Sequence, residues 1–216
     1  MPLTYNIELE VSGPTAMWTR PDAGDMPVSY PAPTYSAVKG IFESICWLKS
    51  AVVKPARVKI MSPLVFHTYS TNYGGPLRKS KAVKGGNSYQ LLATVLINVR
   101  YRLYATVEPM ELETARHSEA SRRYQQANIN GPHAYYDMFQ RRLERGQWFC
   151  LPSLGWKEFV PNYVGPIREP ELEPANINTV MPSMLNQVFS RPTFGFVAPS
   201  FRQNVTIDKG VLTYAE

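Results

Sequence analysis

The pattern of apolar and polar residues is most informative between residues 28 and 47, where it predicts a capped amphipathic helix. Pro31 and Pro33 hold the approach in extended geometry, and the Thr34 hydroxyl can cap the first turn. Apolar side chains then recur at helical spacing, at Val38, Ile41, Phe42 and Ile45. Trp47 is expected to close the helix. The other face of its first turns is small or basic, at Ser36, Ala37, Lys39 and Gly40. Such an open helix start suits an anion such as phosphate, and an ordinary core helix shares the same pattern.

Four predicted strands and a second helix accompany this helix. Alternation or apolar runs indicate strands at residues 4–11, 56–66, 91–107 and 148–160. Ser12-Gly13-Pro14 is expected to end the first strand. Gly131-Pro132 opens a helix over residues 133–145, and Gly146 stops it. The order strand, helix, strand, strand, helix, strand predicts an α+β fold, a ferredoxin-like sandwich similar to the RNA-recognition motif.

Charged residues alternate with the apolar ones in three of these strands and are expected to face away from the core. They are Glu8 and Glu10 in the first strand, Arg57 and Lys59 in the second, and Arg100 and Arg102 in the third. The third strand therefore has one core face and one basic-aromatic face.

Residues 67–89 follow no core pattern. They combine glycines, tyrosines and bases, which favours a protruding basic hairpin over a disordered, solvated loop. We predict that this hairpin is an insertion in a unit that spans residues 1–160.

The composition changes after residue 160. Residues 166–182 are acidic and rich in proline, which is typical of a linker or a draped loop. Residues 193–214 indicate a terminal β-hairpin that turns at Asp208-Lys209-Gly210. Residues 161–216 are thus predicted to form a proline-rich linker and a small C-terminal β region.

The positive charge of the chain is concentrated in one segment. The net charge is +6, and residues 44–107 contain no Asp or Glu. The bases of this segment are Lys49, Lys54, Arg57, Lys59, Arg78, Lys79, Lys81, Lys84, Arg100 and Arg102. A segment of one sign needs a counter-charge from outside, and nucleic-acid phosphate is favoured over anionic lipid or an acidic protein.

Other sequence features narrow the range of functions. No apolar run approaches the roughly 20 residues of a membrane span, and no signal sequence is recognisable, so we expect a cytoplasmic protein without a membrane partner. Cys46 and Cys150 lack CxxC spacing, so two buried thiols are expected rather than a zinc site or a disulfide. His67, His117 and His133 are scattered and have no acidic cluster nearby, so neither a metal nor a cofactor is expected.

Several segments form a recognisable set of motifs. They are Thr19-Arg20-Pro21, residues 29–47, residues 91–107, residues 137–147, Leu154-Gly155-Trp156-Lys157-Glu158-Phe159, and Asp208-Lys209-Gly210-Val211-Leu212. Together they resemble CRISPR-associated protein family five, particularly its subtype I-C branch. The resemblance spans nearly the whole chain and is most specific at residues 29–47, while the C-terminal third is shorter than is usual in that branch.

This resemblance implies an RNA-recognition-motif-like palm, a long β-hairpin thumb and a small C-terminal β region. It also implies a protein that grips the 5′ handle of CRISPR RNA and caps one end of a type I surveillance (Cascade) complex. The implied partners are the CRISPR RNA, the family-seven backbone subunit, the large subunit and, indirectly, target DNA. The expected RNA contacts are Arg20, Tyr30, Lys39, Tyr73, Arg78, Lys79, Lys81, Lys84, Arg100 and Arg102, with the two tyrosines stacking on bases.

The catalytic half of the resemblance is incomplete. Members of the subtype I-C branch cut precursor RNA without metal, using a Tyr just before the Trp of the first helix and a Lys-His pair that opens the second. Here these places hold Cys46, Ala134 and Tyr135. Cleavage requires one group to deprotonate the ribose 2′-hydroxyl and another to protonate the leaving oxygen or stabilise the phosphorane, and alanine can do neither.

The expected function is therefore a non-catalytic RNA-binding subunit, with precursor cleavage left to another protein. One alternative is a metal-independent endoribonuclease that processes the precursor itself through a relocated site built from His133, Tyr135 and Tyr136. Another is a ferredoxin-like RNA-binding protein unrelated to CRISPR.

Overall fold

The computed structural model of the chain describes residues 4–73, 89–110, 130–168, 172–189 and 197–214. These ranges contain two helices and eight strands. In chain order they are β1 (Tyr5–Ala16), α1 (Tyr35–Ile45), β2 (Ala51–Ile60), β3 (Phe66–Tyr73), β4 (Tyr89–Pro109), α2 (Gly131–Arg145), β5 (Tyr163–Gly165), β6 (Thr179–Phe189), β7 (Val197–Asp208) and β8 (Val211–Thr213).

The eight strands form one antiparallel sheet. Seven of them lie in the order β5-β1-β4-β2-β8-β7-β6, and β3 pairs with the first part of β4. Within the group β5-β1-β4-β2, α1 follows β1 and α2 follows β4. This strand order and connectivity are those of a ferredoxin-like sandwich. The predicted α+β class and the fold similar to the RNA-recognition motif are confirmed.

One hydrophobic core lies between the two helices and the sheet. The inward positions of the central strands, Leu9 in β1, Leu103 in β4 and Val58 in β2, are fully buried. The rings of Phe42 in α1 and Phe139 in α2 meet above them, with centroids 5.7 Å apart. Both helices therefore cover the same face of the sheet.

Helix α1 begins as predicted but ends before Trp47. The Thr34 hydroxyl accepts a hydrogen bond from the Ala37 N–H at 3.2 Å, which satisfies one backbone donor of the first turn. The helix stops at Ile45 because Cys46 has an extended backbone (φ −141°, ψ 126°). Trp47 lies beyond the helix with an exposed side chain.

Helix α2 begins two residues earlier than predicted. The Asn130 side chain accepts a hydrogen bond from the His133 N–H at 3.4 Å, so Gly131 and Pro132 belong to the first turn. A Cβ on Gly131 would lie 2.7 Å from the Ser50 carbonyl oxygen, so the start of α2 lies close to the connection between α1 and β2. Gly146, with a φ of 61°, ends the helix as predicted.

Two predicted strand boundaries are wrong. Strand β1 does not end at residues 12–14 but continues to Ala16, because the long β4 pairs with it as far as Leu96. Strand β2 begins at Ala51 and ends at Ile60, and residues 61–65 separate it from β3.

The strand predicted at residues 148–160 is absent from that described segment, which is irregular. Its backbone bonds to the end of β1 through the Met17 N–H and the Leu154 oxygen, 2.8 Å apart. Gly155 has a φ of 97°, and a Cβ there would lie 1.8 Å from the Met17 oxygen, so this approach requires glycine. The sheet edge beside β1 is occupied by β5 instead.

The two ends of the predicted basic hairpin are paired strands. β3 and β4 pair from Phe66↔Leu96 to Tyr73↔Tyr89. Residues 74–88 lie outside the described residues.

The C-terminal strands extend the same sheet. β7 and β8 turn at Lys209 and Gly210, both with positive φ, as the Asp208-Lys209-Gly210 motif predicts. β6 begins at Thr179, so the end of the predicted linker is a strand. β8 pairs with β2, and a unit boundary near residue 160 stays a prediction.

Candidate functional site

The end of α1 and the start of α2 meet at one junction, which contains the three positions implied for catalysis. Tyr135 lies near the start of α2, and its hydroxyl donates a hydrogen bond to the Cys46 carbonyl oxygen at 2.6 Å. Arg142, further along α2, donates to the Ile45 carbonyl oxygen at 2.9 Å. These bonds satisfy carbonyl groups that the end of a helix leaves without internal partners. The fold therefore brings Tyr135 into contact with Cys46, and Ala134 precedes Tyr135 in α2.

The groups at these three positions are poorly suited to proton transfer. Cys46 is fully buried, and burial raises the pKa of its thiol to about 11, so the thiol stays protonated at neutral pH. Tyr135 is also buried, and its proton lies in the bond to Cys46. Ala134 has no ionisable group. The junction thus acts as a structural contact between the helices.

Three aromatic rings lie beside the junction, of which His133 is exposed and Tyr5 and Tyr136 are half-buried. The His133 ring centroid is 5.5 Å from that of Tyr5 at the start of β1, and the Tyr5 and Tyr136 centroids are 5.4 Å apart. His133 Nε2 lies 3.3 Å from an Asp137 carboxylate oxygen one turn along α2. A histidine oriented by a carboxylate can act as an acid or a base, and two tyrosines can stabilise charge or stack on a base. Of the three residues predicted for a relocated site, His133 is exposed, Tyr136 is half-buried and Tyr135 is buried.

The predicted contacts on the approach to α1 differ in accessibility. Arg20 is exposed and donates two hydrogen bonds to the Asp22 carboxylate, at 2.7 and 3.1 Å. Those bonds lower the pKa of Asp22 and raise that of Arg20. Tyr30 is buried, and its hydroxyl accepts a hydrogen bond from the Leu185 N–H at 3.1 Å. The prediction that Tyr30 stacks on a base is not compatible with this burial, because its ring packs inside the protein.

The first turns of α1 are anchored on one side and open on another. The Tyr214 hydroxyl donates to the Pro33 carbonyl oxygen, which ties the approach to the C-terminal strands. Lys39 is half-buried, and a Cβ added to Gly40 would meet nothing within 4 Å. A shallow cavity of about 250 Å³ opens beside Gly40 and is lined in part by Trp18. The open helix face predicted from the small residues is therefore present.

Arg100 and Arg102 meet an unexpected partner, Glu10 of the neighbouring strand β1. Arg100 donates to both Glu10 oxygens, at 2.9 and 3.1 Å, and Arg102 Nε donates at 3.1 Å. Arg168, which the sequence analysis missed, adds a bond of 2.5 Å from Nε, and its carbonyl oxygen accepts from Arg102. Glu10 and Arg102 lie on the face of the sheet away from the helices, as predicted, but their side chains are only 0% and 1% exposed.

The electrostatics of this cluster favour an ionised carboxylate. Burial alone would raise the pKa of Glu10, but hydrogen bonds from three arginines outweigh burial and lower it below the usual 4.5. Among the described residues of this cluster, one carboxylate faces three guanidinium groups. Arg100 and Arg168 keep 25% and 41% of their side-chain surface exposed, so an anion can reach them, whereas Arg102 is inaccessible.

The remaining predicted RNA contacts belong to the hairpin. The side chains of Tyr73, Arg78, Lys79, Lys81 and Lys84 lie outside the described residues. Their role as RNA contacts stays a prediction.

Two kinds of feature are absent from the described ranges. No group of three or more His, Cys, Asp or Glu side chains lies close enough there to hold a metal ion. No helix in the same ranges is long and apolar enough to cross a membrane. Cys46 is a free buried thiol, whereas Cys150 is free and exposed, so the prediction that both are buried is wrong for Cys150.

Sequence comparison identifies related proteins. The family model for CRISPR-associated protein (Cas_Cas5), in its Cas5d form, matches residues 6–190. A CRISPR pre-crRNA endoribonuclease Cas5d of Thermus thermophilus is 28% identical over 167 residues, which is 74% of this chain and 63% of the relative. A protein of the same name from Mannheimia succiniciproducens is 26% identical over 166 residues, 74% of this chain and 72% of the relative. The matched region thus spans less than two thirds of the Thermus protein.

Solved structures share the fold at 16% identity. One described as a CRISPR-associated protein has a TM-score of 0.70 and covers 100% of this chain and 95% of its own. The functionally uncharacterized protein SMU1763c from Streptococcus mutans has a TM-score of 0.67, with 99% and 94% covered. A chain of a CRISPR RNA-guided surveillance complex has a TM-score of 0.52, with 97% and 92% covered. Because the family model matches residues 6–190 of a chain with this ferredoxin-like fold, the protein belongs to the Cas5 family of CRISPR-associated proteins, in its Cas5d branch.

Proposed function

We propose that this protein is an RNA-binding subunit of a type I CRISPR surveillance complex, which grips the 5′ handle of the CRISPR RNA and caps the complex without cutting RNA. Family membership supports the link to CRISPR. One observation supports the absence of cleavage: the three positions implied for catalysis hold an alanine, a buried tyrosine bonded to a backbone carbonyl, and a buried thiol. None of these groups can accept the proton of a ribose 2′-hydroxyl at neutral pH.

The binding part of the proposal rests on the uneven charge. Residues 44–107 carry no acidic residue, Arg20 on the approach to α1 is exposed, and Lys39 lies in α1 next to the open space around Gly40. Cations of this kind contact phosphates and so fix the position of an RNA backbone, whereas unstacked bases bind by stacking on aromatic side chains. In the proposal the hairpin cations, Arg78, Lys79, Lys81 and Lys84, complete the grip.

The partners follow from the same assignment. The complex would supply a family-seven backbone subunit and a large subunit, and target DNA would be contacted only through the assembled complex. A chain of a solved CRISPR RNA-guided surveillance complex shares the fold, which supports a place in such an assembly. The proposed location is the cytoplasm.

A second candidate function is precursor cleavage by this chain itself. Two relatives are named pre-crRNA endoribonucleases. The accessible His133, oriented by Asp137 and close to Tyr5 and Tyr136, would provide the acid–base groups for metal-independent cleavage.

The two functions are separated by incubating the purified protein with its labelled repeat RNA in EDTA, while cleavage and retention are both followed. The first proposal expects the 5′-handle RNA to be retained and left uncut. A single metal-free cut that is lost in His133→Ala would overturn it and assign the nuclease function. Tyr135→Phe is the matched control, because it removes a buried hydroxyl from the same helix turn and should not affect a site built on His133.

A further inference from the structure

Arg168 lies just after β5 and is held by side chains of the neighbouring strand β1. Strand register places Ser12 of β1 between Tyr163 of β5 and Arg100 of β4. Glu10 is two residues earlier in β1 and therefore on the same face of the sheet. Arg168 Nε donates to Glu10 at 2.5 Å, and Arg168 Nη2 donates to the Ser12 hydroxyl at 3.2 Å.

The ring of Tyr163 holds the same guanidinium from a further side. The Arg168 guanidinium carbon is 3.9 Å from the Tyr163 ring centroid. The Tyr163 hydroxyl donates to the Pro166 carbonyl oxygen at 2.6 Å, which fixes the ring. A Cβ on Gly165 would lie 2.8 Å from the Tyr163 hydroxyl oxygen, so glycine gives this ring its room. Arg168 is thus ordered before any ligand binds, and binding an anion costs it little side-chain entropy.

Arg100 lies beside Arg168, because both donate to the same oxygen of Glu10. The Nε atoms of Arg100 and Arg168 lie 2.9 and 2.5 Å from Glu10 Oε1. Each guanidinium uses one further N–H, from Nη2, toward Glu10 Oε2 or Ser12. Within the described ranges the other N–H groups of these two arginines meet no acceptor, and both side chains are partly exposed. These donors remain for a ligand.

The charges at this exposed edge do not cancel. Burial raises the pKa of Glu10, but the arginine hydrogen bonds outweigh burial, so the carboxylate is ionised at neutral pH. One negative charge faces the two positive charges of Arg100 and Arg168, which leaves a net positive charge. Arg102 does not enter this balance, because it is inaccessible. Glu8, two residues before Glu10, is exposed, and water screens its charge.

We propose that Arg168 and Arg100 form a phosphate clamp, which binds one phosphate of an RNA backbone, and that Glu10 is the positioning residue that orients both guanidinium groups. This inference rests on the proposed function, because the ligand is the same RNA, and it adds a contact on the sheet face opposite the helices. The planar donor fork of arginine matches the oxygens of a phosphate.

The charge of the chain favours an RNA over an acidic protein surface as the ligand. Arg100 belongs to residues 44–107, which contain no Asp or Glu, and the whole chain has a net charge of +6. A long basic segment attracts a polyanion with regularly repeated charges.

The experiment measures binding of labelled repeat RNA and of a labelled oligouridine over a range of salt concentrations. Arg168→Ala should weaken binding of both probes by about tenfold, because the clamp contacts phosphate and not bases. The slope of log affinity against log salt should fall by about 0.7, the contribution of one phosphate contact on a single strand. Arg168→Lys keeps the charge but not the fork, so it should retain most of the slope and lose part of the affinity.

A second measurement locates the phosphate. Neutral methylphosphonate replaces one linkage of the repeat RNA at a time. At one linkage this replacement should weaken binding to the unmodified protein and have no further effect on Arg168→Ala. If Arg168→Ala fails to fold, as thermal unfolding would show, Arg168→Lys and the same RNA series still carry the test.

Arg145→Ala is the matched control. Arg145 is an exposed cation in the last turn of α2, on the helix side of the sheet. Its substitution removes the same charge from the chain and should leave the affinity and the salt slope of both probes unchanged.

The outcomes separate the phosphate clamp from the proposed function. Retention of repeat RNA with affinity, salt slope and methylphosphonate pattern unchanged in Arg168→Ala would overturn the clamp and leave the function standing. Equal binding of both RNA probes that depends on Arg168 would support the clamp and contradict the CRISPR RNA function. Binding of polyglutamate that depends on Arg168, with RNA binding unaffected, would overturn the clamp in favour of an acidic protein partner. Failure to bind either RNA probe would overturn both proposals.

Discussion

Replacing Glu10 by glutamine removes the carboxylate on which Arg100, Arg102 and Arg168 converge. The amide keeps the volume of the side chain but carries no charge, so the buried Arg102 loses the carboxylate that accepts its Nε–H. Breaking a buried ion pair by removing one partner costs about 3–5 kcal/mol. We assign most of this cost to Arg102, which is 1% exposed, because Arg100 and Arg168 keep 25% and 41% of their surface in contact with screening water.

The expected loss of about 3 kcal/mol is measurable by urea or thermal unfolding followed by circular dichroism. For a chain of this size, about 1 kcal/mol corresponds to about 2–4 °C in Tm, so Glu10→Gln should lower Tm by about 6–12 °C. Glu8→Gln, two residues away on the same strand and exposed, is the matched control and should change stability by less than about 0.5 kcal/mol. Equal stability of the two variants would refute the inference that Glu10 holds a buried ionic cluster.

The same cluster predicts how stability changes with pH. The pKa of Glu10 is lower in the folded protein than its ordinary value of 4.5. Between the folded-state pKa and 4.5 the unfolded chain therefore binds more protons than the folded protein. The contribution of Glu10 to stability is complete above pH 4.5 and is lost as the pH falls through the folded-state pKa. Unfolding of Glu10→Gln should depend less on pH below about 4.5 than that of the unmodified protein, and equal acid sensitivity would contradict the assigned pKa direction.

Two further predictions concern glycines and thiols. Gly40→Ala should stabilise the protein by up to about 1 kcal/mol, because Gly40 is a helical glycine with open space around it. Gly155→Ala should destabilise the protein by more than about 2 kcal/mol, because Gly155 has a positive φ and touches the Met17 backbone. Urea midpoints test both, and the same sign for the two variants would contradict the local geometry. In native buffer a thiol reagent should modify the exposed Cys150 and leave Cys46 unmodified until urea unfolds the chain, and rapid modification of both thiols would show that Cys46 is accessible.

Local patterns were sufficient to locate both helices, apart from the end of α1 and the start of α2, and the inward faces of the central strands. The cap at Thr34, the stripe ending at Ile45 and the stop at Gly146 depend on residues a few positions apart. The alternation around Leu103 is equally local, since every second side chain of a strand faces one side. The order of these elements then indicates the ferredoxin-like sandwich, because short connections leave few ways to pack two helices on one sheet.

The strand predicted at residues 148–160 shows what local pattern could not determine. Its apolar residues are compatible with a strand, but strand formation also requires a free sheet edge. The edge beside β1 is taken by the three-residue β5, and residues near Leu154 instead bond to the end of β1. Competition for one edge is a property of the folded sheet and not of any segment alone.

The sequence by itself determined the fold class, the two helices, the concentration of positive charge and the family. Only the tertiary structure decided which charges and rings are accessible. Glu10 and Arg102 are 92 positions apart and Arg168 is 158 positions from Glu10, yet together they bury a charge that alternation alone places at the surface. Tyr30 is likewise buried, and its hydroxyl accepts a hydrogen bond from the N–H of Leu185, a residue 155 positions away. The physical reason is that burial of a polar group depends on the partners which satisfy it, and those partners are brought close only when the chain folds.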